Sequence, residues 1–211
     1  MAEVQRARGK RHLPADQRRK SIVEATMRCL ASSGVDKTSI RDICAQADIS
    51  VGLISYYYDG KEALIADVYE AIANSLQATL RQAVERTEGS ARQRLSAFIQ
   101  ASFKPVNLDT DLMQAWLSFW SMSKRTQRIA AVHDRTYGAY LAMLEDLLAA
   151  TARDNGHSQM TVRLAAIGLS ALLDGLWVEW CLNPQTFTPA EGVRVCEACV
   201  DGLLANGVKA R

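Results

Sequence analysis

The stretch from Thr38 to Leu64, TSIRDICAQADISVGLISYYYDGKEAL, constrains the fold of this chain more than any other. Ile40, Ile43, Cys44 and Ala47 recur at helical spacing behind Thr38, a residue suited to cap a helix start. Asp48-Ile49 interrupts that period, and Ser50 is placed to cap a second helix carrying Val51, Leu53, Ile54 and the aromatic run Tyr56, Tyr57, Tyr58. Small Ala47 and Gly52 allow the two helices to approach, with Ile43, Ile49 and Ile54 locking the pair. Asp59-Gly60-Lys61-Glu62 then opens a third helix in the form of a capping box, Asp59 as cap and Glu62 at the third helical position. Two short helices across a tight turn make a helix-turn-helix, whose second helix enters the major groove of DNA.

Around this stretch the pattern is helical throughout. A first helix spans Asp16 to Ser33, burying Ile22, Val23, Ala25, Thr26, Cys29 and Leu30, with Gly34 placed to end it. A long helix covers about 60–87 and breaks at Gly89-Ser90. Further helices span about 90–103, 109–123, 125–153, 158–182 and 189–206, separated by Lys104-Pro105-Val106-Asn107, Asn155-Gly156 and Asn183-Pro184. Thr188-Pro189-Ala190-Glu191 supplies a cap, a proline at the first helical position and a glutamate at the third. No alternating apolar run persists long enough to argue for a sheet, and 211 residues can bury a small and a larger core. The class is all-α. It divides into a basic flexible N-terminal arm at 1–15, a three-helix helix-turn-helix DNA-binding domain at 16–76 with its motif at about 39–58, and a larger helical domain at 77–211.

The net charge of +2 is unevenly placed. Through Lys20 there are seven basic residues (Arg6, Arg8, Lys10, Arg11, Arg18, Arg19, Lys20) against Glu3 and Asp16, a local +5, leaving −3 over the remainder. A basic arm beside a helix-turn-helix suits phosphate attraction and minor-groove insertion, and a solvated tail with no partner fits the same composition. The N-terminus lacks a signal-peptide core, and no apolar span reads as long enough for a membrane helix. The expectation is a cytoplasmic protein with its five cysteines mostly reduced thiols.

The helix-turn-helix region resembles the TetR family of bacterial repressors. Thr38, Ile40, Ile43, Ala47, Ile49, Ser50, Gly52, Ile54, an aromatic at Tyr58, Lys61 and Leu64 follow that family's pattern in order and spacing, over about residues 16–76. Asp48 departs from it, standing where the family usually places a glycine, and aspartate tolerates the left-handed backbone such a turn needs. Ser55 departs too, where many members carry tyrosine; Ser55 followed by two aromatics resembles the choline-responsive, BetI-type branch that controls glycine betaine synthesis. The resemblance implies that 77–211 is a ligand-binding and dimerisation domain, with a homodimer through the last two helices, whose apolar residues include Leu164, Ile167, Leu172, Val193, Val200 and Leu203. The sequence itself also permits these faces to form an intramolecular core. A twofold dimer presents two recognition helices to half-sites one or more DNA turns apart.

The partners implied are double-stranded operator DNA and a small-molecule effector. Base readout falls to Ser50, Val51, Gly52, Leu53 and Ser55, a set without Arg, Asn or Gln to grip a base edge. Modest direct readout should therefore be supported by phosphate contacts and DNA shape. Tyr56, Tyr57, Lys61, Thr38, Ser39 and Arg41 are the phosphate candidates; each tyrosine also fits simple packing. A lysine in the first turn of a helix opposes the helix dipole, so Lys61 makes more sense if a phosphate arrives there.

Two later blocks, AWLSFW at 115–120 and LLDGLW at 172–177, resemble the same choline-responsive branch. Trp116 and Trp120 share a helical face, as do Asp174 and Trp177. Aromatic faces plus one carboxylate suit a quaternary ammonium ion, because rings attract the cation without demanding hydrogen bonds it cannot make. Tyr137 and Tyr140 could close the cage. Tryptophans on helical faces also fill cores, and methionines such as Met113, Met122 and Met143 read as core fill. Choline, or another compact organic cation, is the effector this pattern fits.

Catalysis is not indicated. His12, His133 and His157 are scattered, with no phosphate loop and no His-Glu-x-x-His pattern, and no cofactor or metal is implied. Cys196 and Cys199 form a Cys-x-x-Cys pair within a helix, for which buried reduced thiols, a redox pair and part of a zinc site are the readings. A helical ligand-binding protein without DNA activity is the reading from another class.

Overall fold

The computed structural model describes residues 14–154 and 162–206. Residues 1–13 of the arm read at 1–15, the Asn155-Gly156 break, and His12 and His157 lie outside the described residues. Among those described, the chain is α-helical apart from one short 3-10 turn: α1 (Ala15–Lys37), α2 (Ile40–Ala47), α3 (Val51–Tyr57), α4 (Gly60–Glu85), α5 (Ala91–Ser102), the 3-10 turn Pro105–Asn107, α6 (Thr110–Ser123), α7 (Gln127–Asp154), α8 (Val162–Leu182) and α9 (Pro189–Asn206).

The chain forms two compact units, and their boundary differs from the one read from sequence. The first joins residues through Ile72 to Thr110–His133; the second joins Ala73–Asp109 to the chain from Asp134 onward. Helix α6 thus packs with the first unit, lying against α1. The reason is its apolar face: Met113, Ala115, Trp116, Phe119 and Met122 are all buried. Helices α4 and α7 each run through both units without a break.

In the first unit α1 buries Ile22, Ala25, Thr26, Cys29 and Leu30 as expected, whereas Val23, expected buried with them, is only half-buried. Its helical path is broken at Gly34, whose φ of 70° and ψ of 170° suit a residue without a Cβ. Helix α4 contributes Leu64, Ile65, Val68 and Tyr69 to the same core.

In the second unit, α8 runs through the core, burying Ala165, Ala166, Leu169, Ser170, Leu173 and Trp177. Helix α9 starts as the sequence indicates. Thr188 N and Oγ1 donate to Glu191 Oε2 at 2.7 and 2.9 Å, and Glu191 N donates to Thr188 Oγ1 at 3.3 Å. Gly192 on α9 packs so closely on Phe103 that an added Cβ would lie 2.5 Å from the ring.

One sequence expectation is corrected here. Val162–Leu182 is long and apolar enough, by length and composition, to cross a membrane. It carries a second apolar face besides its core face, with Leu164, Ile167 and Leu182 exposed.

Candidate nucleic-acid interface and effector residues

The helix-turn-helix is built as its pattern indicates, with three local differences. Ser39, not Thr38, caps α2: Asp42 N donates to Ser39 Oγ at 3.2 Å, and Ser39 N donates to Asp42 Oδ2 at 2.8 Å. Thr38 is only 2% exposed, and its hydroxyl is engaged by the carbonyls of Cys29 (3.0 Å) and Gly34 (2.8 Å). It braces the end of α1 and has no donor left for a phosphate. Ser50 occupies the cap position of α3 but makes no side-chain cap bond. Gly52, read as easing helix contact, instead faces open space, and the close approach is made by buried Ala47.

Asp48 takes the left-handed conformation, φ 56° and ψ 51°, and Ile49 N then donates to the carbonyl of Cys44 at 3.0 Å. This turn sets α3 against α2 through Ile43 and Ile54, both fully buried. The residues expected to meet DNA face outward: Ser50, Val51, Gly52, Ser55, Tyr56 and Tyr57 are exposed, with Leu53 half-buried. Tyr56 is 82% exposed, and its ring meets Tyr57 edge-on at 5.1 Å. Arg41 is exposed on α2. Ser39 donates its hydroxyl proton to Asp42 at 2.6 Å. Lys61 is half-buried, and its ammonium donates to the carbonyl of Val35 at 2.5 Å, which leaves two of its three N–H groups for an anion.

Behind this outward face lie contacts that the sequence did not signal. Arg18 Nη1 donates to Tyr57 Oη at 3.3 Å, and Arg19 pairs with Asp67, so this basic pair holds its own domain together. Tyr58 is half-buried and donates to Asp67 at 2.7 Å. None of these partnerships has a sequence signal, since each joins residues 9 to 48 positions apart whose spacing is set by the fold.

The proposed cage residues fall in both units. In the first, Trp116 and Trp120 lie 6.4 Å apart, with Tyr69 edge-on to Trp116 at 5.4 Å and stacked on Phe119 at 4.6 Å. Tyr69 Oη and His133 Nδ1 share a hydrogen bond of 2.8 Å. Trp116 is buried, and its indole N–H meets no acceptor. Tyr69 and His133 were missed in the sequence because neither lies in a motif.

In the second unit Tyr137 and Tyr140 stack at 6.3 Å, with Phe98 5.7 Å from Tyr140. Tyr137 Oη is hydrogen-bonded to Ser170 Oγ at 3.2 Å, whereas the buried Tyr140 hydroxyl has no partner. Burial pushes the Asp174 carboxyl up to about 6, and its charge in turn helps raise the Tyr140 phenol, after burial itself. Trp177 is a core residue: it is 5% exposed and its indole donates to the carbonyl of Ser102 at 3.2 Å. Any role it has toward a ligand is left to its ring face.

Cys29, Cys44 and Cys196 are buried free thiols, and Cys181 and Cys199 are half-buried. Burial first, then Cys199 and Glu197, pushes Cys196 up to about 12, far from a reactive thiolate. Among the described residues no group of three or more His, Cys, Asp or Glu is placed to hold a metal ion.

Comparison with known proteins gives the same picture of both halves. Residues 22–68 match the bacterial regulatory proteins of the tetR family, and residues 91–205 match the C-terminal domain of BetI-type transcriptional repressors. The HTH-type transcriptional regulator BetI of Burkholderia mallei is 28% identical over 196 residues, covering 90% of this chain and 95% of its own. A Pseudomonas aeruginosa PAO1 protein assigned as a transcriptional regulator is 48% identical, with a TM-score of 0.88 over 92% of this chain and 94% of its own. A regulator from Saccharomonospora viridis, solved in complex with choline, shares the fold at 17% identity, with a TM-score of 0.73 over 93% of this chain and 100% of its own.

Proposed function

This chain belongs to the TetR family of DNA-binding transcriptional repressors, with a BetI-type C-terminal domain, and from that premise we propose a repressor released from its operator by a compact organic cation, choline first among them. The family is one of regulators, not enzymes. It acts in the cytoplasm, where its operator lies.

The observation that carries the cation reading is Asp174. Its carboxylate, held by burial at a pKa of about 6, is near enough to Tyr140 for its charge to help raise that phenol, and an arriving cation would relieve the cost of that charge. The choline-bound Saccharomonospora viridis regulator and the BetI relatives support choline among such cations. On that likeness the regulated genes are those that make glycine betaine from choline. Another small organic ligand is the second reading, favoured by the unpartnered Tyr140 O–H, which an effector carrying a hydrogen-bond acceptor would satisfy.

DNA is met by the exposed face of α3. Val51, 44% exposed, suits a thymine methyl; Ser50, Leu53 and Ser55 offer short contacts around it; and Tyr56, Tyr57, Arg41 and Lys61 supply the phosphate side. Two copies would join through α8 and α9. Their outer faces pair exposed apolar residues (Leu164, Ile167, Val195) with small ones (Gly168, Ala171, Gly202), which lets helices approach closely. Coupling between effector and operator needs a ligand that prefers one arrangement of the dimer, and α4 and α7, continuous through both units, are the elements to carry it.

Titration of the purified protein with choline, followed by tryptophan fluorescence and calorimetry, tests the cation site. Saturable binding that Asp174→Asn removes without unfolding supports it. A folded dimer that binds no choline contradicts it and leaves the repressor intact.

A further inference from the structure

The recognition helix α3 is held by very little apolar packing. Of its seven residues Ile54 is fully buried and the rest are half-buried or exposed. One buried anchor fixes a point on a short helix but not its angle, so the angle must be set at the ends. At the N-terminal end the Asp48 turn does this, through the bond from Ile49 N to the carbonyl of Cys44. At the C-terminal end the chain leaves through Tyr58, whose backbone is extended and whose phenol donates to Asp67 Oδ2 at 2.7 Å.

The same carboxylate accepts two bonds from Arg19, from Nη2 at 2.6 Å and Nε at 3.2 Å. Arg19 lies on α1, Tyr58 ends α3 and Asp67 lies on α4, so one side chain ties three helices at the rear of the reading surface. Burial first, and then the neighbouring carboxylate, push the Tyr58 phenol above its ordinary range and keep its proton in place as the donor. A paired guanidinium–carboxylate fork adds a fixed geometry that a single contact lacks. The apolar core has its own members on α1 and α4, with Ile22, Leu64, Ile65 and Val68 buried.

We propose that Asp67 is a positioning residue for operator recognition, holding α3 at its reading angle through Tyr58 and Arg19 without touching DNA. The inference rests on the operator-binding reading. It makes Arg19, counted by sequence among the phosphate-attracting basic residues, part of the scaffold.

The test uses the full-length protein and a duplex selected by it from a random pool. Affinity for that duplex and for an unrelated one is measured by fluorescence anisotropy across a salt series, for wild type, Tyr58→Phe, Asp67→Asn and Arg19→Gln. Each variant should bind the selected duplex about tenfold more weakly, the scale of one charge-assisted hydrogen bond. Affinity for the unrelated duplex and the slope of log K against log salt should stay at wild-type values, because no phosphate contact has been removed. An affinity within twofold of wild type for Tyr58→Phe, or equal losses on both duplexes, overturns the proposal. So does a slope reduced by about one in Arg19→Gln, which would put Arg19 on a phosphate. If Asp67→Asn fails to fold, Tyr58→Phe, which deletes one oxygen, decides the matter. A wild-type protein that selects no sequence at all overturns the operator reading, and this inference with it.

Discussion

Asp174 is a carboxylate kept where its charge is costly, which makes it a liability to the fold and, on the proposed function, a recognition element. Its folded-state pKa of about 6 lies above the ordinary value of 3.8, so the ionised group weakens folding fully above pH 6. That penalty fades as pH falls from about 6 toward 3.8. Asp174→Asn should therefore stabilise the free protein at pH 7, by about 2 kcal/mol, and have little effect near pH 4, as calorimetric unfolding at the two pH values will show. The same substitution should abolish cation binding. In the wild type, choline affinity should be full above pH 6 and fall about tenfold per unit below it, read by titration across pH 5 to 8. Lys61 gives a contrasting residue-scale prediction: Lys61→Gln should lower operator affinity and reduce the salt slope by about one, the signature of a lost phosphate contact. At this scale the sequence was least legible. Trp177 reads as a ligand face by spacing, yet its indole is committed to the Ser102 carbonyl, 75 positions away. The Tyr69–His133 bond and the Asp67 tie are invisible for the same reason, since each depends on tertiary placement rather than a local pattern.

Elements were far more legible, because helix periods, caps and turns are local physics. The Thr188–Glu191 box, with Pro189 behind it, starts α9 where the residues say it should. The start of α2 was read one residue early because Thr38 and Ser39 can both cap; the fold decides for Ser39 by burying Thr38. Asp48 shows a local compromise. It holds a left-handed conformation that glycine adopts more easily, so Asp48→Gly should raise the unfolding temperature by about 1 to 2 °C, through about 0.5 kcal/mol, with operator binding retained. Gly192 makes the opposite case. Its replacement by alanine drives a methyl into Phe103 and should destabilise the protein by about 1 to 3 kcal/mol in chemical denaturation. Helix α8 escaped notice as an apolar span because Asp174 and Glu179 lie within it, although its length and composition qualify.

For the molecule as a whole, the reading surface of one unit and the cation-suited residues of the other matter only if a dimer connects them. Gly168→Arg places a long charge on the exposed outer face of α8, where an added Cβ meets open space in a single chain. The variant should remain folded, run as a monomer in light scattering, and lose most of its operator affinity, because two half-sites can no longer be engaged together. A variant that stays dimeric would place the interface elsewhere. The central claim is that a compact cation and operator DNA compete for the state of this dimer. It is met most directly by following the anisotropy of a labelled operator bound to the wild-type protein while choline is titrated at fixed salt and pH 7.5. Saturable release of the operator, absent in Asp174→Asn, is the result predicted. An operator complex unmoved by choline at every concentration would contradict it.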